Sequence, residues 1–203
     1  MGKILSLLIT NTALLIGISH NNGATNIVPQ DGTVVKKTVY ETLDSLLLSQ
    51  LYIREATGKN DGKEVEAFLK SVNRKKGDSW CAAYVSYDLQ FLKKRGYNVD
   101  YLISGWSPSF ASNKYVIWKK GSNFVPFKMG DVFTIYFPSL KRAAHTGFIY
   151  RDETNSVITV EGNTSEDNYG QKTRDGNGVF KKRRLKKQLY TIARFIKNEW
   201  TVW

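Results

Sequence analysis

The chain carries one cysteine, Cys81, in the stretch GDSWCAAYVSYDLQFLKKRG from Gly77 to Gly96. A thiol attacks a carbonyl only as thiolate, and a helix start favours that anion through its unpaired N–H groups and the positive end of its dipole. Asp78 or Ser79 can cap a helix that runs over Cys81, Val85, Leu89 and Leu92 and ends at Gly96, which sets Cys81 in the first turn. Flanked by Trp80, Ala82 and Ala83, the same cysteine also fits an inert core. A base within reach decides between the two. Of the two histidines, His20 falls in or beside an apolar leader, which leaves His145.

A third group comes from a hairpin. HTGFIYR, from His145, and SVITVE, ending at Glu161, read as paired strands turning around Glu153, and that register sets His145 opposite Glu161. Asn163 follows two residues later and shares the face of Glu161. Either side chain can hold the imidazole in the tautomer that leaves its other nitrogen free for the thiol.

Elements must hold these residues. Val39, Leu43, Leu46, Leu47, Leu51 and Ile53 recur at helical spacing and predict a helix over residues 38–56, which TGKNDG then breaks. Asp61 and Glu64 have capping-box spacing for a second helix through Val65, Phe68, Leu69 and Val72; a calcium site at Asn60, Asp61 and Glu64 has too few oxygen ligands. After a loop-rich middle section, short β-rich runs begin at Asp131, His145, Ser156, Gly178 and Tyr190. Helices first and strands afterwards predict an α+β domain, with helices packed on one antiparallel sheet.

Composition narrows the partners. Thirty Lys and Arg against 18 Asp and Glu give a formal charge of +12, which favours nucleic acid, membrane surface or acidic polymers. A lone cysteine excludes an internal disulfide, and no Cys/His cluster has zinc-ligand spacing, so neither metal nor cofactor is expected. The N-terminus reads as a charged start followed by ILSLLITNTALLIGI, a signal peptide over residues 1–24, with a leader over 25–37 and a domain over 38–203. The apolar run falls short of the roughly 20 residues that span a bilayer, so no stable membrane insertion is expected. KKRRLKK, Lys181 to Lys187, matches a nucleic-acid patch by composition but continues a strand, so it reads as an exposed sheet face. Trp80 adjoins Cys81 and is the aromatic residue expected to meet substrate, whereas Trp106, Trp118 and Tyr136 read as core or rim.

WCAAYVS at a helix start, GDVFTIY, HTGFIY and VITVEGNT, in this order, resemble the cysteine, histidine-dependent amidohydrolases and peptidases of the CHAP family. The similarity covers roughly Leu43 to Ile196 and implies a papain-like fold. It also implies Cys81 as nucleophile, His145 as general base and Glu161 as the residue that orients it, with Asn163 assisting. Family members cut amide bonds in bacterial peptidoglycan, which implies a protein secreted to or beyond the cell envelope, with peptidoglycan and anionic wall polymers as partners. An endopeptidase is preferred to an N-acetylmuramoyl-L-alanine amidase. The competing readings are an inactive wall-binding relative and a basic nucleic-acid-binding protein. A pure binder has no chemical need for Cys81, His145, Glu161 and Asn163 together.

Overall fold

Thr38 opens the first helix with a reciprocal cap: its hydroxyl accepts the Glu41 N–H at 3.1 Å, and the Glu41 carboxylate accepts the Thr38 N–H at 2.7 Å. Helix α1 (Val39–Ser49) then buries Val39, Leu43 and Leu47. A computed structural model describes residues 37–166 and 176–201. The chain divides into units over 1–36 and 37–203, and every described residue lies in the second. The expected signal peptide, 1–24, and nearly all of the expected leader, 25–37, lie outside the described residues.

Helix α1 stops seven residues before the expected Ala56, because the chain beyond it is drawn into β structure. The Glu55 N–H donates to the Asn177 carbonyl at 2.7 Å, and Arg54 bridges to Gly178. Helix α2 (Lys63–Lys70) buries Val65, Phe68 and Leu69, but Asp61 does not cap it. Gly62 intervenes at φ 113°, and the Asp61 carboxylate turns back to accept the Thr57 N–H at 2.9 Å and its hydroxyl at 2.8 Å. Helix α3 (Cys81–Lys94) is preceded by Trp80 as its capping residue, not by Asp78 or Ser79. Asp78 instead accepts the Lys75 N–H in the preceding turn.

The loop-rich middle holds three short elements that the pattern does not announce: β1 (Tyr97–Val99), α4 (Ser107–Ala111) and β2 (Val116–Lys119). Five strands follow: β3 (Val132–Phe137), β4 (Arg142–Asp152), β5 (Ser156–Thr164), β6 (Gly178–Leu185) and β7 (Thr191–Ala193), with β8 (Ile196–Thr201) beyond them. The fold is α+β, and its pairings are antiparallel. Among the described residues two sheets form where one was expected: six strands in the order β2-β7-β3-β4-β5-β6, and a pair β1-β8. The run from Tyr190 divides at Arg194 and Phe195. Arg194 pairs with both oxygens of Asp131, at 2.8 and 2.7 Å, and Phe195 turns onto Phe110 and Tyr115.

The large sheet is buried on both faces. Val132, Phe148 and Val160 join Trp80 and the α3 residues Tyr84, Val85 and Leu89 in one core, while Phe133, Ile135, Ile149 and Val157 form a second. Neighbours in sequence fall in different cores, as the period of two along a strand requires. Among the described residues no helix is long and apolar enough to cross a membrane.

The β4–β5 register differs from the expected one. Phe148 faces Val160 and Ile149 faces Thr159, a shift of two residues, and a bulge at Tyr150 makes it three at Asp152 and Val157. An even shift keeps every side chain on its face, so His145 and Glu161 still meet. They meet diagonally. Continuing the ladder sets Gly147 opposite Glu161, and a Cβ on Gly147 would lie 2.9 Å from the Glu161 Cγ. The glycine clears the path by which the Glu161 side chain reaches His145.

Candidate active site

Cys81 is the first residue of α3 and lies at the floor of a cleft of about 160 Å³, walled by Asp78, Trp106, Ser107, Arg142 and Ala144 among others. Three separate parts of the chain supply these walls. A bulge at Ala144, where β4 passes Ile135 and Tyr136 of β3, turns the start of β4 toward the cleft. The Cys81 sulfur lies 3.4 Å from the Ser107 hydroxyl at the start of α4. Cys81 is 4% exposed.

His145 is fully buried, and its Nε2 lies 2.8 Å from Oε2 of Glu161. Glu161 is fully buried too, with four hydrogen bonds shared between its oxygens. Oε1 accepts from Thr159 Oγ1 at 2.5 Å and Arg184 Nε at 2.8 Å; Oε2 accepts from Arg184 at 2.6 Å and from His145. Burial would push this carboxyl up, yet the Arg184 and His145 charges and hydrogen bonds hold it well below the carboxylate range. An ionised carboxylate only accepts, so His145 carries hydrogen on Nε2. The nitrogen left for the thiol is Nδ1, which has no partner of hydrogen-bonding geometry among the described residues.

The thiol and the imidazole shift one another. Burial pushes the Cys81 thiol up, but the His145 hydrogen bond and charge, the Ser107 hydroxyl and the Thr146 N–H bring it below its ordinary value. Burial disfavours the imidazolium, but hydrogen bonds and charge from Cys81 and Glu161 raise His145 to about 9. Both directions favour a thiolate–imidazolium pair at neutral pH.

Two expected roles need correction. Asn163 does not touch His145: its Oδ1 accepts the Trp80 N–H at 3.0 Å, and its Nδ2 donates to Asn60 and to the Gly176 carbonyl, both at 3.0 Å. At φ 55°, Asn163 leaves the extended conformation, which swings its side chain from the imidazole to the start of α3. It thereby ties down Trp80, the residue that precedes the helix presenting Cys81. Trp80 cannot meet substrate, because it is 0% exposed, stacked on Phe68 and bonded through Nε1 to Glu55 at 2.8 Å. The exposed aromatic ring at the cleft is Trp106, with 45% of its surface free.

KKRRLKK is half interior. Lys181 and Arg183 are exposed, but Lys182 and Arg184 alternate inward and are buried. Arg184, which completes the Glu161 site, carries a sequence signal only in hindsight: two basic residues at a spacing of two in a strand whose flanks, Val179 and Leu189, are core. Ser107 and Gly147 carry none. Comparison with family models, curated proteins and solved structures finds no match to this chain.

Proposed function

We propose that residues 38–203 form a papain-like cysteine hydrolase of the CHAP type, exported by its leader, which cuts a peptide amide in bacterial peptidoglycan. The observation that carries the reading is the buried line His145–Glu161–Arg184 beside Cys81 at an open cleft, with the imidazole and the thiol each favouring the other's charged form. His145 takes the thiol proton, and the thiolate attacks the scissile carbonyl. The tetrahedral oxyanion is met by the Cys81 N–H, free at the first position of α3, and by the Ser107 hydroxyl. The imidazolium returns its proton to the leaving amine, the C–N bond breaks and a thioester remains on Cys81. His145 then takes a proton from water, the hydroxide adds to the thioester, and the thiol leaves with that proton. Glu161 stays ionised throughout, because Arg184 holds its charge.

The +12 charge favours an anionic wall as substrate. Purified sacculi incubated with the wild-type protein should gain free amino groups, and with Cys81→Ala they should not. A new L-alanine amino terminus identifies a cut at the sugar–peptide link; any other identifies an endopeptidase, which is the expected result. Sacculi of several wall types that gain no amino groups from a folded, reduced protein would overturn the proposal.

A further inference from the structure

Two arginines flank the nucleophile, and neither has an acidic partner among the described residues. Arg74 and Arg142 both line the cleft over Cys81, and among the described residues neither guanidinium forms an ion pair. Elsewhere arginines near acids are paired off: Arg184 with Glu161, Arg194 with Asp131 and Arg151 with Glu153. The two at the cleft are held in place by other means. Arg142 stacks with its guanidinium carbon 4.1 Å from the centre of the Trp106 ring, and one of its amino groups donates to the Ala143 carbonyl at 3.1 Å. Arg74 lies across Gly105, where a Cβ would come within 2.6 Å of its Cγ, so a glycine keeps that path clear. One acid, Asp78, shares the cleft and accepts the Lys75 N–H at 3.2 Å; the cleft therefore keeps an excess of positive charge.

A planar guanidinium fixed by stacking, with one amino group on a backbone carbonyl and no acid on the others, is built for a planar anion with two oxygens. We propose that the cleft binds a carboxylate of the substrate beside the scissile carbonyl, so that the preferred substrates are peptides with a free carboxylate within a residue or so of the cut amide. This rests on Cys81 being the nucleophile in that cleft. The carboxylate would bridge Arg142, on its Trp106 platform, and Arg74, while Asp78 repels a second anion from the far side.

The test uses two reagents of nearly equal size on the full-length protein at pH 7. Iodoacetate carries a carboxylate and iodoacetamide does not; in both, the Cys81 sulfur forms the new S–C bond and iodide leaves with the C–I electron pair. A bare thiolate repels iodoacetate, so a preference for it must come from the cleft. The expected result is an iodoacetate rate that saturates with concentration and falls about tenfold in Arg142→Gln and about threefold in the more exposed Arg74→Gln. Iodoacetamide rates should stay within about twofold, which also reports that the variants fold and keep a reactive thiol. If both variants keep the wild-type ratio of the two rates while Cys81 remains fast, the carboxylate site is wrong and the hydrolase reading stands. If wild-type Cys81 reacts with both reagents no faster than a free thiol, the nucleophile reading fails and the inference with it.

Discussion

Glu161 and Asp88 are both carboxyl side chains without exposed surface, yet their surroundings shift their titration in opposite directions. Glu161 has Arg184 on both oxygens, Thr159 on one and His145 on the other. Asp88, on α3, accepts one hydrogen bond, from the Gln50 amide at 2.8 Å, and its second oxygen has no partner of hydrogen-bonding geometry. Burial raises it to about 7, with Gln50 and Tyr84 opposing only in part. Burial sets the same cost on each carboxylate, and the donors around it decide whether the charge persists. The molecule spends an arginine where it needs a permanent negative charge behind an imidazole, and none where it does not.

The largest effect expected from disturbing this contrast is at Glu161. Glu161→Gln removes the charge that steadies the imidazolium and leaves Arg184 buried without a counterion, so hydrolysis should fall at least about a hundredfold and stability by about 3–5 kcal/mol. Adding Arg184→Met should recover much of the stability in urea titrations but none of the turnover. Recovery of both would mean that Glu161 serves only the fold.

Asp88→Asn should do the reverse. Asp88 has a folded pKa above its ordinary value, so its contribution to stability is full at pH below about 4 and is lost as pH rises through about 7. Asparagine keeps the acceptor for Gln50 and carries no charge. The variant should therefore gain roughly 2–3 kcal/mol on wild type between pH 5 and pH 8. A stability difference that does not change with pH would show that Asp88 keeps its ordinary titration.

The smallest effect is at Asn163. Asn163→Ala removes the acceptor of the Trp80 N–H and should cost about 1 kcal/mol of stability. The pH dependence of turnover should keep its wild-type midpoints, because Asn163 does not touch His145. A shifted midpoint would return it to the imidazole.

These residues also mark what the sequence made legible. The helical runs, the β-rich runs of β3 to β6 and the α+β order are local patterns, and the cysteine in the first turn of α3 follows from one of them, although the caps expected at Asp61 and at Asp78 or Ser79 do not form. The Cys81–His145–Glu161 meeting is only partly local: face parity survived a two-residue error in register because side chains repeat every two residues. The role of Asn163 depended on a single positive φ, and that of Trp80 on packing against Phe68, which no spacing encodes. Arg184 lay in a run whose charge pointed outward by composition, while its alternation turned it inward. Beyond Gly96 the chain changes direction through elements of three to five residues, too short for periodicity to register.

The central claim is that His145, backed by Glu161 and Arg184, keeps Cys81 as a thiolate. The rate of Cys81 alkylation by iodoacetamide, followed from pH 4 to pH 10 in wild type and in His145→Ala, tests it directly. The wild-type rate should rise with a midpoint well below the usual thiol value of about 8.5, and His145→Ala should move that midpoint to 8.5 or higher, since burial alone pushes the thiol up. A wild-type midpoint at or above about 8.5, or one that His145→Ala leaves in place, would contradict it.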